Sequence, residues 1–177
     1  MSKLVDLNEF RMGQACKRGF AQWQKRFGER FTIESRFENL QNRTIGTLAE
    51  PGDNSTFIFN ELIMGVLDLG NVMKFEYLSP ADRLKIVDIQ LFLADLVRFE
   101  MMHRIKWIDD YLNRECALIE LILTYDDTDY SQFTNPPQLS KSHPRFDEFD
   151  RKIPREKVVM ARQLYPEALI AFKERFK

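Results

Sequence analysis

Apolar and small residues in the first thirty positions recur at intervals of three and four: Phe10, Gly13, Cys16, Phe20, Trp23 and Phe27. That spacing traces one face of an α-helix, with gaps in the stripe at Gly13 and Cys16 and a stop at Gly28. Phe31, Ile33, Phe37 and Leu40 carry apolar spacing on toward "TIGTLAEPGDNS", where Gly46, Pro51 and Gly52 predict a loop. Asn54 or Ser55 is placed to cap the next helix, which sets Ile58, Leu62, Val66, Leu69 and Met73 on one face.

"YLSPADR" restarts the pattern, with Ser79 at the cap, Pro80 at the first helical position and Asp82 in the first turn. From Ala81 to Asp127 no glycine or proline interrupts it. Ile86, Ile89, Leu93, Leu96, Trp107 and Tyr111 form a wide apolar arc, with Lys85, Asp88, Asp95, Lys106, Asp110 and Asn113 opposite. A straight helix over residues 80–127 would be roughly 72 Å long at about 1.5 Å per residue. A compact chain of this size has a radius of gyration near ~16 Å, so the pattern predicts a break near Asp109–Asn113, where "DDYLN" is weak in helix propensity. "ALIELILTY" is β-branched enough to suit a strand as well.

Residues 128–153 hold three prolines and many polar residues, which predicts a long irregular arm pinned by Phe133, Leu139, Phe146 and Phe149. The last helix starts at Pro154 and is kinked or restarted at Pro166. The expected fold is all-α: a single-domain bundle of five or six helices, with the proline-containing loop before the C-terminal helix.

Composition narrows the function. The 177 residues are 44% hydrophobic and 30% charged, with fifteen phenylalanines, as in a globular chain with aromatic-rich packing. Net charge is −1, but it is unevenly spread. Nine Lys/Arg face five Asp/Glu over residues 1–45, seven face sixteen over 46–130, and ten face six over 131–177. An acidic middle between basic ends predicts that the ends pack on the middle, or on that of a neighbouring copy. Cys16 and Cys116 form no disulfide framework or zinc unit, which favours a reducing cytoplasm. "MSKLVDLNEF" has no secretory h-region, and no apolar run is long enough for a membrane span. All seven glycines lie at or before Gly70, so no glycine-rich phosphate cradle can follow. "GVLDLGNV" has phosphate-loop glycine spacing, but Asn71 and Val72 stand where Lys and Ser/Thr belong.

Two stretches carry candidate chemistry. In "RFEMMHRIKW", Glu100 falls at the centre of the apolar arc and His103 at its edge. A buried carboxylate requires compensation. Arg104, one turn on, supplies it at the favoured spacing, with Arg98 or Arg114 in support. The alternative is a divalent metal held by Glu100 and His103, as in carboxylate helical bundles; no other cofactor is expected. Those bundles use two Glu-x-x-His pairs, whereas His143 has Ser140 three before it, so Glu61 or Glu115 would have to complete a mononuclear site. The second stretch, residues 11–30, sets Lys17, Arg18, Lys25 and Arg26 beside Phe20, Trp23 and Phe27. It suits nucleic acid, an anionic membrane surface or a partner's groove, or, more simply, a helix with aromatics inward and bases outward. Nucleophilic catalysis has no motif in its favour. The expectation is a non-catalytic cytoplasmic interaction or assembly domain that self-associates, ahead of a metal-dependent bundle or a nucleic-acid binder.

Overall fold

In a computed structural model, which describes residues 6–127 and 135–177, the chain is mostly helical. Five longer helices carry it: α1 (Leu7–Phe27), α2 (Asn42–Ala49), α3 (Asp53–Val66), α4 (Pro80–Arg104) and α7 (Pro154–Arg175). Two short ones, α5 (Leu118–Leu123) and α6 (Phe146–Asp150), lie between α4 and α7. Strands β1 (Ile108–Asp110) and β2 (Gln138–Leu139) pair antiparallel, with Ile108 opposite Leu139. The all-α expectation holds, and α4 is its centre, packed against α2, α3 and α7.

Helix α1 lies along α3, and aromatic rings fill the seam. Phe20 and Trp23 are fully buried, and Phe31 stacks on Phe20 at 4.7 Å between centroids. The Trp23 indole N–H donates to the Ile58 carbonyl at 2.7 Å, so this large ring is buried without an orphaned donor. The crossing is tight because Gly19 and Gly65 meet there. A Cβ on Gly65 would lie 2.8 Å from the Arg18 carbonyl oxygen and from the Gly19 Cα. The apolar stripe begins later than expected, since Phe10 is exposed.

Helix boundaries depart from the periodicity wherever local bonding overrides it. Gly52, not Asn54 or Ser55, caps α3. Its φ of 120° turns the chain, and the Ser55 and Thr56 hydroxyls donate back to its carbonyl. Helix α3 stops at Val66, so Leu69 and Met73 do not extend its face, and Met73 is exposed. There the Asp68 and Leu69 N–H groups donate to the Gly65 and Met64 carbonyls, a Schellman closure with Asp68 left-handed at φ 58°. Helix α4 ends by the same device. Lys106 N–H returns to His103 and Trp107 N–H to Met102, with Lys106 at φ 65°. The break therefore precedes Asp109–Asn113, because pairing of 108–110 with β2 and a bond from Ser140 N–H to the Trp107 carbonyl hold the chain extended. "ALIELILTY" is helical from Leu118 to Leu123, not a strand.

A left-handed lysine costs about 1–2 kcal/mol that glycine would not. Lys106→Gly is therefore expected to raise the unfolding free energy by about 0.5–1 kcal/mol after glycine's greater chain entropy is counted. A higher midpoint in urea denaturation would record it; a lower one would mean that the lysine side chain outweighs its backbone strain.

The described part of the arm, residues 135–153, is more ordered than its composition suggests. Leu139 and Phe149 are buried, Phe146 packs at the edge of the core, and residues 146–150 are helical. Phe133 lies outside the described residues. Helix α7 runs through Pro166 without restarting. Pro166 and Arg162, whose carbonyl the missing N–H would have bonded, both lie on the exposed side of the helix.

Candidate functional site

Glu100 is 1% exposed, and both of its oxygens are engaged. Arg104 Nε donates to Oε1 at 2.9 Å, while the Tyr111 hydroxyl and Arg114 Nε donate to Oε2 at 2.7 and 3.2 Å. Helix α4 brings Glu100 and Arg104 together one turn apart; the chain after the break folds Tyr111 and Arg114 back over them. Charge and hydrogen bonding thus compensate the burial together.

Arg104 is a four-way tie. Its terminal nitrogens donate to Asn42 Oδ1 (2.7 Å) and to the carbonyls of Phe37 (2.9 Å) and Glu38 (3.2 Å). It locks the end of α4 to the start of α2 and to the 3₁₀ turn Phe37–Asn39 before it. Glu38 extends the network, 3.3 Å from Arg114 and 3.2 Å from Arg36. The Tyr111 phenol is pushed well above its ordinary pKa, first by burial and then by the Glu100 charge beside it, so it stays a donor. For Arg114, burial works downward, but the Glu100 charge, the Tyr111 phenol, the hydrogen bond to Glu100 and the Glu38 charge together outweigh it and the pKa is raised.

His103 does not join this group. Its Nδ1 lies 3.1 Å from the Ile108 carbonyl, which can only accept, so Nδ1 carries the proton. The two members of Glu100-x-x-His103 therefore serve different partners. Among the described residues, no group of three His, Cys, Asp or Glu is placed to hold a metal ion. Glu61, considered as a further ligand, instead pairs with Arg26 at 3.0 Å. Arg98 does not reach Glu100; it lies over the Tyr165 ring at 4.3 Å. His143 is buried against Trp107 with centroids 4.8 Å apart, and burial, then Arg145, lowers its pKa.

The basic segment divides by face. Phe20 and Trp23 are in the core and Phe27 is partly covered, while Lys17, Arg18, Lys25 and Arg26 point outward. Arg18 bonds Asp68 and the Gly65 carbonyl, and Arg26 holds Glu61 through both carboxylate oxygens. That face offers charge to a polyanion but not the buried rings for base stacking. At the other end Arg162 reaches Asp95 at 2.7 Å and Lys173 pairs with Glu50, so both basic ends do pack on the acidic middle. Asp95 is consequently buried under α7 and not on a solvated face.

Sequence reasoning found Arg104 and Arg114 but missed Tyr111 as a donor, because it falls among the apolar residues of the arc read from Ile86 to Tyr111. Asn42 and the Phe37 and Glu38 carbonyls, more than sixty residues away, carry no sequence signal at all. No family model, curated protein or solved structure matches this chain.

Beside this network opens a cavity of about 700 Å³. Arg104 and Arg114 line its inner side, Lys106 and Asp109 its strand side, and Ser140 and Ser142 the arm. Among the described residues, no helix is long and apolar enough to cross a membrane.

Proposed function

We propose that the chain is a non-catalytic helical assembly module that pairs with a second copy of itself through the outer face of α4. Support comes from one observation: Leu84, Val87 and Leu91 are 63%, 39% and 57% exposed at spacings of three and four. That is the seam spacing by which one helix packs against another. Ala81, small and exposed, begins the stripe and leaves room for close approach. Beyond Leu91 the helix sinks into its own core, where every residue from Phe92 to Val97 is buried, so the stripe belongs to the projecting half.

A copy of the same helix is the occupant that suits this face. A two-fold contact sets one patch against itself and needs an apolar, weakly charged centre. Lys85, beside the stripe, is already held by Asp126, which leaves the exposed Asp88, one turn from Leu84 and from Leu91, as the one charge on it. Arg18, Arg26, Arg162 and Lys173 of the basic ends are bonded within the chain. The lone, well-separated Cys16 and Cys116 are in keeping with a cytoplasmic setting. A non-catalytic role draws on Glu100, whose oxygens are occupied by its own arginines and tyrosine.

Light scattering on a sizing column at about micromolar concentration is expected to give twice the 21.0 kDa chain mass. Leu84→Glu with Leu91→Glu is expected to give the single mass with helical circular dichroism unchanged. A monomer from the unsubstituted chain removes the proposal.

A further inference from the structure

We propose that the cavity beside Glu100 binds a small molecule through an oxyanion, a phosphate or carboxylate, seated on Arg114 and Lys106. The inference rests on which hydrogen-bonding capacity is left over there. Three cations and three carboxylates line the cavity, and Arg36, bonded to Glu38, tips the local balance to positive. Two of the three carboxylates are spent: Glu100 takes three donors, Glu38 is held by Arg36 and Arg114, and Asp109 at the exposed strand side is left. Donors remain. Arg114 uses Nε and Nη1, while its Nη2 has no partner among the described residues and its side chain is 28% exposed. The Lys106 ammonium makes no ion pair among the described residues. Across the cavity, the Ser140 and Ser142 hydroxyls sit 3.0 Å apart.

These donors are held before any ligand arrives. Glu100 and Glu38 fix the Arg114 guanidinium through Nε and Nη1 and leave Nη2 as a held donor, which lowers the entropy lost on binding. Lys106 is held at the wall by a left-handed backbone that glycine would adopt at no cost, and strain of this kind gathers at binding sites. The C-terminal dipole of α4 opposes an anion here, but the Schellman bonds already occupy the Met102 and His103 carbonyls. Leu40 and Phe176 add apolar surface, so the ligand has an anionic head and an apolar body. The volume is in the range of small-molecule sites.

The test uses inorganic phosphate and, separately, succinate, each titrated into the full chain and followed by amide shifts at residues 103–107 and 140–142. Saturation with a Kd below about 10 mM is expected for at least one probe, and the one that saturates identifies the head group. Arg114→Ala should weaken it about tenfold. Lys106→Gly should weaken binding as well while stabilising the fold, which separates loss of the site from loss of structure. No saturation by either probe, or an affinity that both variants leave unchanged from the unsubstituted chain, overturns the proposal.

Discussion

Glu100→Ala is expected to lower the unfolding free energy by about 3–5 kcal/mol, the largest effect of any single substitution considered. The loss is not one ion pair. Removing the carboxylate leaves the Tyr111 hydroxyl, in a ring only 5% exposed, without its acceptor, and two guanidiniums without their shared anion. Arg104 keeps Asn42 and two carbonyls, so the damage centres on Tyr111, Arg114 and the chain between them. At about 2–4 °C per kcal/mol for a chain of this size, the midpoint should fall by roughly 10 °C. Glu100→Gln keeps the volume but turns an N–H₂ toward donors, and should lie between the two. Urea denaturation reads both. A cost under about 1 kcal/mol for Glu100→Ala would mean that water replaces the carboxylate readily.

Gly65→Ala is expected to cost about 2 kcal/mol or more, although alanine is intrinsically the better helix former by about 1 kcal/mol. The added methyl would meet backbone on α1, at 2.8 Å from Arg18 O and Gly19 Cα, and backbone cannot rotate aside. The two helices would have to separate, loosening the contacts of Phe20 and Trp23 with α3. Two other glycines supply the comparison. A Cβ on Gly19 meets Val66 Cγ2 at 2.6 Å, and that buried β-branched side chain is stiff in a helix, so Gly19→Ala should be costly as well. Gly13 has nothing within 4 Å, so Gly13→Ala should stabilise by about 0.5–1 kcal/mol. Equal effects at Gly13 and Gly65 would contradict the close crossing.

Helices α1 and α4 were legible because their signals are local, whereas most of α2 falls in the stretch read as a loop, with Gly46 inside the helix. Three-and-four spacing marked α1 and α4, Ser79-Pro80 with Asp82 marked where α4 begins, and Gly28 marked where α1 ends. Arg104 was legible for the same reason, since it stands one turn from Glu100 on a single helix. What the periodicity extended too far, as at Leu69 and across Trp107 to Tyr111, was cut by closures at Asp68 and Lys106 that lack the glycine a sequence reader looks for. Those stops are set by partners: β2 and Ser140 hold the chain beyond Lys106, and a periodic pattern contains no information about a strand thirty residues later.

The sequence by itself determined the class of fold and the place of Glu100 on the apolar arc, and it put Arg104 ahead of a metal as the compensating group. Tertiary structure alone decided the rest. It turned Tyr111 and Arg114 back onto Glu100, brought Asn42 and the Phe37 carbonyl to Arg104, seated Asp95 under Arg162, and opened the cavity with its spare donors. The physical reason is range. Helix formation is governed by neighbours three and four residues apart, whereas the compensation of a buried charge is completed by whatever polar groups the packed helices bring within 3 Å.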